Sequence, residues 1–109
     1  MRKIEKPWGY ELIWAETDSY VGKILYIKAG HRLSKQYHEV KEETLYVMEG
    51  ILYNYEDDGS ITKVPPGKSF HVNVGQVHRF GAMENNVKVI EVSTPHLDDV
   101  VRLEDDYDR

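Results

Sequence analysis

Residues 30–50 read GHRLSKQYHEVKEETLYVMEG, a run of strand-forming residues that carries metal-binding side chains between two glycines. In a β-strand, residues two apart face the same side, so Gln36 and His38 project together from one strand. Glu43 follows after four more residues, which lets its carboxylate join them across a short turn. The stretch therefore predicts a strand, a turn and a second strand, with polar donors on one interior face.

Short runs rich in Val, Ile, Tyr and Leu recur along the chain between turn signals. The predicted strands are residues 10–14, 23–28, 44–48, 51–55, 61–64, 69–72 and 87–92. This spacing predicts an all-β sandwich or barrel, in which Asp58-Gly59 forms a hairpin turn. Leu97, Val100, Val101 and Glu104 fit a short helical turn, and the acidic tail from Asp98 to Asp108 fits an extended or frayed segment equally well. Trp8, Trp14 and most of the tyrosines are expected in the core.

The composition limits what this chain can be. With 109 residues, 40% of them apolar and 30% charged, it suits one globular domain, residues 1–109, with one core. The formal charge of −5 argues against a nucleic-acid partner, because binding to a phosphate backbone needs a basic stripe. No long apolar run occurs, so we expect an untargeted cytoplasmic protein with no membrane partner. Because cysteine is absent, a bound metal must use imidazole, carboxylate or amide groups.

The stretch above and residues 67–82, GKSFHVNVGQVHRFGA, together resemble the two sequence motifs of the cupin family. The positions that match the first motif are its glycines and ligands: Gly30, Gln36, His38, Glu43 and Gly50. Those that match the second motif are Gly67, Gly75 and His78. Three positions depart from the pattern: Gln36 stands where most cupins have histidine, Asn73 replaces a proline and Ala82 replaces an asparagine.

The resemblance implies a jelly-roll barrel, also called a double-stranded β-helix, with one divalent metal ion inside. Its ligands would be two oxygens and two nitrogens: Gln36 through its carbonyl, His38, Glu43 and His78. Such a mixed site suits Zn, Mn, Fe, Co or Ni. The neighbouring Glu39 and Glu42 fit less well. The other histidines lack a second ligand at strand spacing and are expected in turns or at the surface: His31, His71 and His96.

Beyond the metal motifs, nearly the whole chain resembles mannose-6-phosphate isomerase of type II. The markers are residues 6–11, KPWGYE, residues 32–38, RLSKQYH, and residues 100–107, VVRLEDDY. The resemblance accounts for Gln36, because phosphomannose isomerases use Gln, His, Glu and His around the metal. One stretch departs, since residues 38–45 read HEVKEETL where that family has a run of histidines followed by Arg and Glu-His-Trp. In that family the domain commonly forms the carboxyl end of a bifunctional protein with a mannose-1-phosphate guanylyltransferase.

The implied reaction interconverts mannose 6-phosphate and fructose 6-phosphate by moving a proton between neighbouring carbons. It requires a Lewis acid for the developing negative charge, a base, and a cation that holds the phosphate. Glu91 is the candidate base, although strand alternation leaves open whether it or Ile90 points inward. Arg32, Lys35 and Arg79 are the nearest candidates for the phosphate, with Arg32 and Arg79 preferred.

Two other functions also fit the sequence. One is a cupin that binds a sugar or a sugar nucleotide without turnover, as a partner of a nucleotidyltransferase. The other is an iron cupin that uses dioxygen, which the glutamine ligand and the terminal markers disfavour. A small open barrel leaves apolar surface and strand edges to cover, so we expect a homodimer whose ligand is a small sugar phosphate.

Overall fold

The computed structural model describes residues 1–107, and in this part of the chain every regular element is a β-strand. The strands are β1 (Arg2–Lys6), β2 (Gly9–Glu16), β3 (Val21–Ile27), β4 (Lys35–Tyr37), β5 (Glu43–Glu49), β6 (Leu52–Tyr55), β7 (Ile61–Val64), β8 (Ser69–Val72), β9 (Phe80–Gly81), β10 (Val87–Ser93) and β11 (Val101–Glu104). Among these residues there is no helix long and apolar enough to cross a bilayer.

The strands form two layers around one core. The larger layer is an antiparallel sheet of six strands in the order β1-β2-β3-β10-β5-β8. The other layer combines the sheet β7-β6-β9 with the pair β11-β4, which backbone bridges at Gln36–His78 and Arg32–Gly81 connect. Together the layers make the predicted small cupin barrel, a double-stranded β-helix.

The core lies between the layers and consists mostly of branched aliphatic side chains. Alternate residues of β3, β5 and β10 point inward, and Ile27, Val47 and Val87 are completely buried. Trp8 is buried as expected. Trp14 is 45% exposed, because the alternation of β2 puts it on the same outer face as Tyr10 and Leu12, opposite the buried Glu11 and Ile13. The expectation that Trp14 is a core residue was therefore wrong.

The tyrosines also differ from the expectation. All eight are half-buried or exposed, so none of them belongs to the fully buried core. Tyr10 and Tyr26 stack on each other across β2 and β3, with ring centroids 5.2 Å apart. Their hydroxyl groups explain this placement, since a buried hydroxyl needs a hydrogen-bond partner that an aliphatic core lacks.

The seven predicted strands all form, as β2, β3, β5, β6, β7, β8 and β10, with ends that differ by at most two residues. The Asp58-Gly59 turn joins β6 and β7 as an antiparallel hairpin, as predicted. Val101 and Glu104 lie in the extended strand β11, so the helical alternative was wrong, and Asp108 of the predicted tail lies outside the described residues. Four short strands were not predicted, because β1, β4, β9 and β11 contain few consecutive apolar residues.

Gly50 marks the place where the chain leaves the larger sheet after β5 and enters the smaller layer at β6. Its φ of 74° lies in the left-handed region. A Cβ at this position would come within 2.3 Å of the backbone oxygen of Asn86. Both the dihedral angle and the close approach therefore require glycine at the end of the first motif.

Candidate metal centre

The predicted ligands come from three neighbouring segments of the barrel. Gln36 lies in β4, His38 directly follows that strand, and Glu43 is the first residue of β5. His78 lies two residues before β9, and its backbone is paired with that of Gln36. The Gln36 N–H donates to the His78 carbonyl at 3.0 Å, and the His78 N–H donates to the Gln36 carbonyl at 2.9 Å. These two reciprocal backbone hydrogen bonds fix the distance between Gln36 and His78, two of the four predicted ligands.

Three of the four side chains converge on one point. Glu43 Oε1 lies 3.4 Å from His38 Nε2 and 3.4 Å from His78 Nε2. One potential ligand atom from each residue falls within 4.8 Å of the other two. The three side chains are only 2–3% exposed. His38, Glu43 and His78 could therefore hold a metal ion inside the barrel.

The hydrogen bonds of the two imidazoles leave one nitrogen of each ring free to bind a cation. His38 Nδ1 donates to the Asp99 carbonyl at 2.5 Å, and His78 Nδ1 donates to the Gln76 carbonyl at 3.0 Å. Because carbonyl oxygens only accept, each Nε2 is left with its lone pair directed toward Glu43. His38 Nε2 is buried and has no hydrogen-bond partner within residues 1–107. A divalent cation would satisfy that atom, so the residues present fit a metal.

Gln36 lies beside this cluster with its amide nitrogen toward His78 and its amide oxygen turned away. Its Oε1 accepts a hydrogen bond of 2.7 Å from Ser34 Oγ, and its Nε2 lies 3.5 Å from His78 Nε2. A half-turn of the amide would bring the oxygen toward the cluster and leave the amide nitrogen beside Ser34. Gln36 is thus positioned for the predicted fourth ligand, and carbonyl binding requires that rotation.

The sequence reasoning missed Lys41, a buried cation that joins the predicted ligand Glu43 to the predicted base Glu91. Lys41 Nζ lies 3.1 Å from Glu43 Oε2 and 3.2 Å from Glu91 Oε2, and all three side chains are buried. Burial works to lower the pKa of Lys41, but Glu91 and Glu43 raise that pKa above its ordinary value. The available signal was nearness along the chain, because Lys41 is two residues before the predicted ligand Glu43.

The electrostatics of the ligands follow from burial and from Lys41. Burial works to raise the pKa of Glu43, yet His38 and Lys41 hold that pKa well below its usual range. Burial lowers the pKa of His78, although Glu43 opposes the shift. Glu43 is therefore ionised and His78 neutral near pH 7, which are the protonation states that a metal requires.

Glu91 points into the barrel from β10, and its neighbour Ile90 faces the other side. Its side chain is buried, and burial followed by the charge of Glu43 raises the pKa of Glu91 to about 7. Glu91 Oε2 has no aligned hydrogen bond within residues 1–107, despite its proximity to Lys41. The structure thus places the predicted base in the same cavity as the ligands.

The predicted phosphate-binding cations lie elsewhere. Arg32 Nε lies 2.5 Å from Asp106 Oδ2, and Arg79 Nη2 lies 2.7 Å from Asp106 Oδ1. Lys35 pairs with Asp57 at 2.7 Å. The three cations line a neighbouring cleft and do not contribute to the cavity around Glu43. A phosphate role for Arg32 or Arg79 stays a prediction.

The other histidines and acidic residues named above lie outside the cluster. His31 contacts Tyr107 at 2.8 Å, His71 contacts Glu42 at 2.8 Å, and His96 contacts the side chain of Thr94 at 2.9 Å. His71 and His96 are exposed, and His31 is half-buried. These placements agree with the expected turn or surface roles.

The cavity around the cluster is rich in paired charges. Its cationic lining residues are Lys6, Lys23, Lys41 and Arg102. Its carboxylates are Glu11, Glu43, Glu91 and Asp99. Asp99 and Arg102 come from the carboxyl-terminal segment, which closes one side of the cavity. The sequence reasoning missed both residues, because their closeness to the ligands depends on how that segment folds back.

The fold and the buried His–Glu–His cluster define this protein as a cupin. The chain belongs to the family described as mannose-6-phosphate isomerase C-terminal, whose model matches residues 1–105. The match covers nearly the whole described chain, so the resemblance inferred from the terminal markers is confirmed.

Comparison with known proteins gives two kinds of relatives. The chain is 35% identical over 116 residues to the mannose-1-phosphate guanylyltransferase of Escherichia coli K12, covering 99% of this chain and 23% of that protein. It is 34% identical over 116 residues to the mannose-1-phosphate guanylyltransferase ManC of Salmonella typhimurium, covering 99% of this chain and again 23% of the relative. The chain thus spans about a quarter of the length of these curated relatives.

Solved structures support the fold. KdgF from a Halomonas species matches with a TM-score of 0.76 at 22% identity, over 87% of this chain and 88% of that one. A sugar phosphate isomerase of the cupin superfamily from Silicibacter pomeroyi matches with a TM-score of 0.69 at 20% identity, over 78% of this chain and 58% of that one. At these identities the likeness establishes the barrel and not the activity.

Proposed function

We propose that this protein is a metal-dependent sugar-phosphate isomerase that interconverts mannose 6-phosphate and fructose 6-phosphate. The observation that carries the proposal is the unpartnered, buried Nε2 of His38 beside Glu43 and His78, in a cavity that also contains Glu91. Family membership supports the same reaction class. The sugar phosphate isomerase from Silicibacter pomeroyi offers a precedent for this chemistry on the same fold.

Four residues would hold the ion: Gln36, His38, Glu43 and His78. Two imidazole nitrogens, one carboxylate and one amide carbonyl suit Zn, Mn, Fe, Co or Ni. When bound, the ion would supply Lewis-acid stabilisation of the negative charge that develops on the substrate oxygens. The tautomers of His38 and His78, set by their backbone acceptors, leave both Nε2 atoms ready for this role.

Glu91 is the proposed base. Isomerisation removes a proton from the second carbon of the aldose and returns it to the first carbon, through an enediol. One carboxylate on one face of the substrate can perform both transfers, and a base works best with a pKa near the working pH. Lys41 holds the Glu91 carboxylate in place beside the ligands, while Glu91 Oε2 keeps a lone pair available.

The substitution Glu91→Gln tests the base. We expect kcat to fall by about 10² to 10⁴-fold, because the amide cannot take a proton, while metal content stays at the wild-type level. The matched control is Glu84→Gln, an exposed glutamate outside the cavity, which should keep full activity. If Glu91→Gln retains the wild-type rate, the base lies elsewhere. If the wild-type protein, loaded in turn with each of the five metals, interconverts neither sugar phosphate, the isomerase proposal fails.

A binding function is the second candidate. It is favoured by the finding that this chain covers only 23% of relatives named as mannose-1-phosphate guanylyltransferases, a name that refers to a sugar phosphate and a nucleotidyl group. In that case the metal-loaded protein would bind a sugar nucleotide without isomerising either hexose phosphate. Calorimetric titration beside the isomerase assay separates the two functions.

A further inference from the structure

One of the four cations that line the metal cavity differs from the others. Lys23 Nζ lies 2.6 Å from Glu11 Oε1, and Lys6 Nζ lies 3.3 Å from Glu11 Oε2. Lys41 is shared between Glu43 and Glu91. Arg102 is exposed and forms no ion pair with any residue in the described part of the chain. Its guanidinium group is therefore available to an anion from solution.

The register of β11 against β4 explains why Arg102 faces the cavity. Arg102 is paired with Gln36, and directly opposed residues of an antiparallel pair point to the same face. A register shift then follows, so that Glu104 is paired with Lys35 on the opposite face. Arg102 thus shares the face of a predicted metal ligand, whereas Glu104 extends outward and contacts Arg79 at 3.4 Å.

The substrate of the proposed reaction has its reacting carbons at one end and its phosphate at the other. With the reacting end beside the buried cluster, the phosphate would lie toward the exposed side of the cavity. The geometry points to Arg102 as the residue that binds this phosphate, and this inference rests on the proposed function. An arginine suits the role, because its planar fork can donate two parallel hydrogen bonds to a phosphate.

Arg32 and Arg79 are less suited to this role than Arg102. Both are already hydrogen-bonded to Asp106, at distances from 2.5 to 3.0 Å, so a phosphate would have to displace a carboxylate. Arg79 is also buried, and its Nε donates to the Leu33 carbonyl at 3.1 Å. Arg102 can bind an anion without breaking any ion pair of the described chain.

The test compares Arg102→Gln with the wild-type protein, both loaded with the same metal. We expect the KM for mannose 6-phosphate to rise about tenfold, in line with the loss of a charge-assisted hydrogen bond at an exposed site, with a smaller effect on kcat. Competitive inhibition by inorganic phosphate should weaken by a similar factor. Arg102→Lys should recover part of the affinity, since it restores the charge without the fork.

The control variant is Arg2→Gln, an exposed arginine of β1 that pairs with Glu16 and does not line the cavity. It should leave KM, phosphate inhibition and metal content unchanged. Metal content is measured for every variant, so that loss of the ion is distinguished from loss of the phosphate contact. An unchanged KM in Arg102→Gln, with full wild-type turnover, overturns the inference and leaves the isomerase proposal standing. A raised KM in Arg32→Gln or Arg79→Gln instead would assign the phosphate to the neighbouring cleft.

The inference is also tested without turnover, by calorimetric titration with mannose 6-phosphate and with inorganic phosphate. If the wild-type protein is inactive but binds either compound, weaker binding in Arg102→Gln supports the phosphate contact while the isomerase proposal fails. Equal binding in the two proteins overturns the phosphate contact. If the wild-type protein binds neither compound, both proposals fail.

Discussion

Two backbone carbonyls determine the ring orientation and the tautomer of His38 and His78. The Asp99 and Gln76 carbonyls each accept a hydrogen bond from an imidazole Nδ1, which orients the rings of His38 and His78. Burial also lowers the pKa of His78, so that this ring is neutral at neutral pH. At the residue scale, hydrogen bonds within the protein therefore give the two imidazoles the orientation that a bound metal ion would require.

His78→Ala should lower metal affinity at least tenfold while the β fold is retained, because one ligand is lost from a site that the barrel holds in place. Metal content of the freshly purified protein, measured by mass spectrometry, checks this, with circular dichroism as the test of folding. His71→Ala is the matched control, since His71 is exposed and lies outside the cluster. Full occupancy in His78→Ala would show that His78 is not a ligand.

Glu11 is a buried carboxylate that interacts with two lysines inside the barrel. Its Oε1 lies 2.6 Å from Lys23 Nζ, and its Oε2 lies 3.3 Å from Lys6 Nζ. Burial works to raise the pKa of Glu11, but Lys23 and Lys6 together hold the pKa below its ordinary value of 4.5. A carboxyl whose pKa is lowered by folding stabilises the folded state above pH 4.5, and this contribution is lost as the pH falls below that value.

Glu11→Gln should reduce the free energy of unfolding at pH 7 by about 3 to 5 kcal/mol, because Lys23 then remains buried without its nearest carboxylate. The difference from wild type should shrink as the pH is lowered from 6 to 3, as the wild-type carboxylate becomes protonated. Urea denaturation at several pH values measures both effects. Glu5→Gln, on the exposed face of β1, should change little at any pH. A pH-independent difference would contradict this role of the ion pair.

At the element scale, the segment that runs from β4 through the following loop to the start of β5 contains three of the four predicted ligands. The Asp99 carboxylate accepts hydrogen bonds from the backbone N–H groups of Glu39, Val40 and Lys41, at 2.8 to 3.0 Å. The Asp99 carbonyl accepts the bond from His38 Nδ1. A single residue of the carboxyl-terminal segment therefore holds the loop that connects two predicted ligands.

Asp99→Ala should weaken metal binding by about ten- to a hundredfold, the usual effect of removing a group that orients a ligand. The loop loses three hydrogen bonds to the Asp99 carboxylate, whereas the backbone carbonyl that orients His38 remains in the chain. Competition with a chromogenic chelator measures the affinity. Asp98→Ala is the matched control, because Asp98 is exposed and makes none of these bonds. Equal affinity in the two variants would show that the loop holds its shape without Asp99.

At the scale of the whole molecule, the outer face of the larger sheet is strongly apolar. Trp14, Tyr46, Met48 and Val92 are each exposed by 40% or more. Half-buried aliphatic residues lie between them in register, with Ile90 paired to Tyr46 and to Ile24. Exposed apolar patches of this kind mark interaction sites, and we propose that this face binds a second copy of the chain.

We expect the protein to sediment as a homodimer, with this face buried in an interface of about 800 Å² per partner. Val92→Lys should shift the equilibrium toward the monomer, because it places a charge near the middle of the apolar face. Val74→Lys is the matched control, since Val74 is exposed in the loop after β8. Analytical ultracentrifugation measures both variants. A wild-type protein that remains monomeric over the whole concentration range would contradict the dimer.

Much of this architecture was predictable from local sequence. Apolar alternation and turn residues placed seven strands, because both signals act over a few neighbouring residues. The spacing of Gln36, His38 and Glu43 predicted a shared face for the same reason. His78 was found through the second motif, and the structure brings it to the other three by direct backbone pairing with Gln36.

Only the tertiary structure decided the roles of residues that are positioned by strands far away in the sequence. Both faces of β10 are largely apolar, so sequence alternation left Glu91 and Ile90 equivalent until packing against β5 placed Glu91 inside. Trp14 lies on the outer face of β2, and only the packing of the sheet shows that nothing in the described chain covers this end of that face. Nearness along the chain favoured Arg32 and Arg79 as phosphate ligands, but β11 folds back onto β4 and brings Arg102 to the cavity. A short polar strand has no local signal for its partner, because its position is set by the hydrogen bonds that it completes.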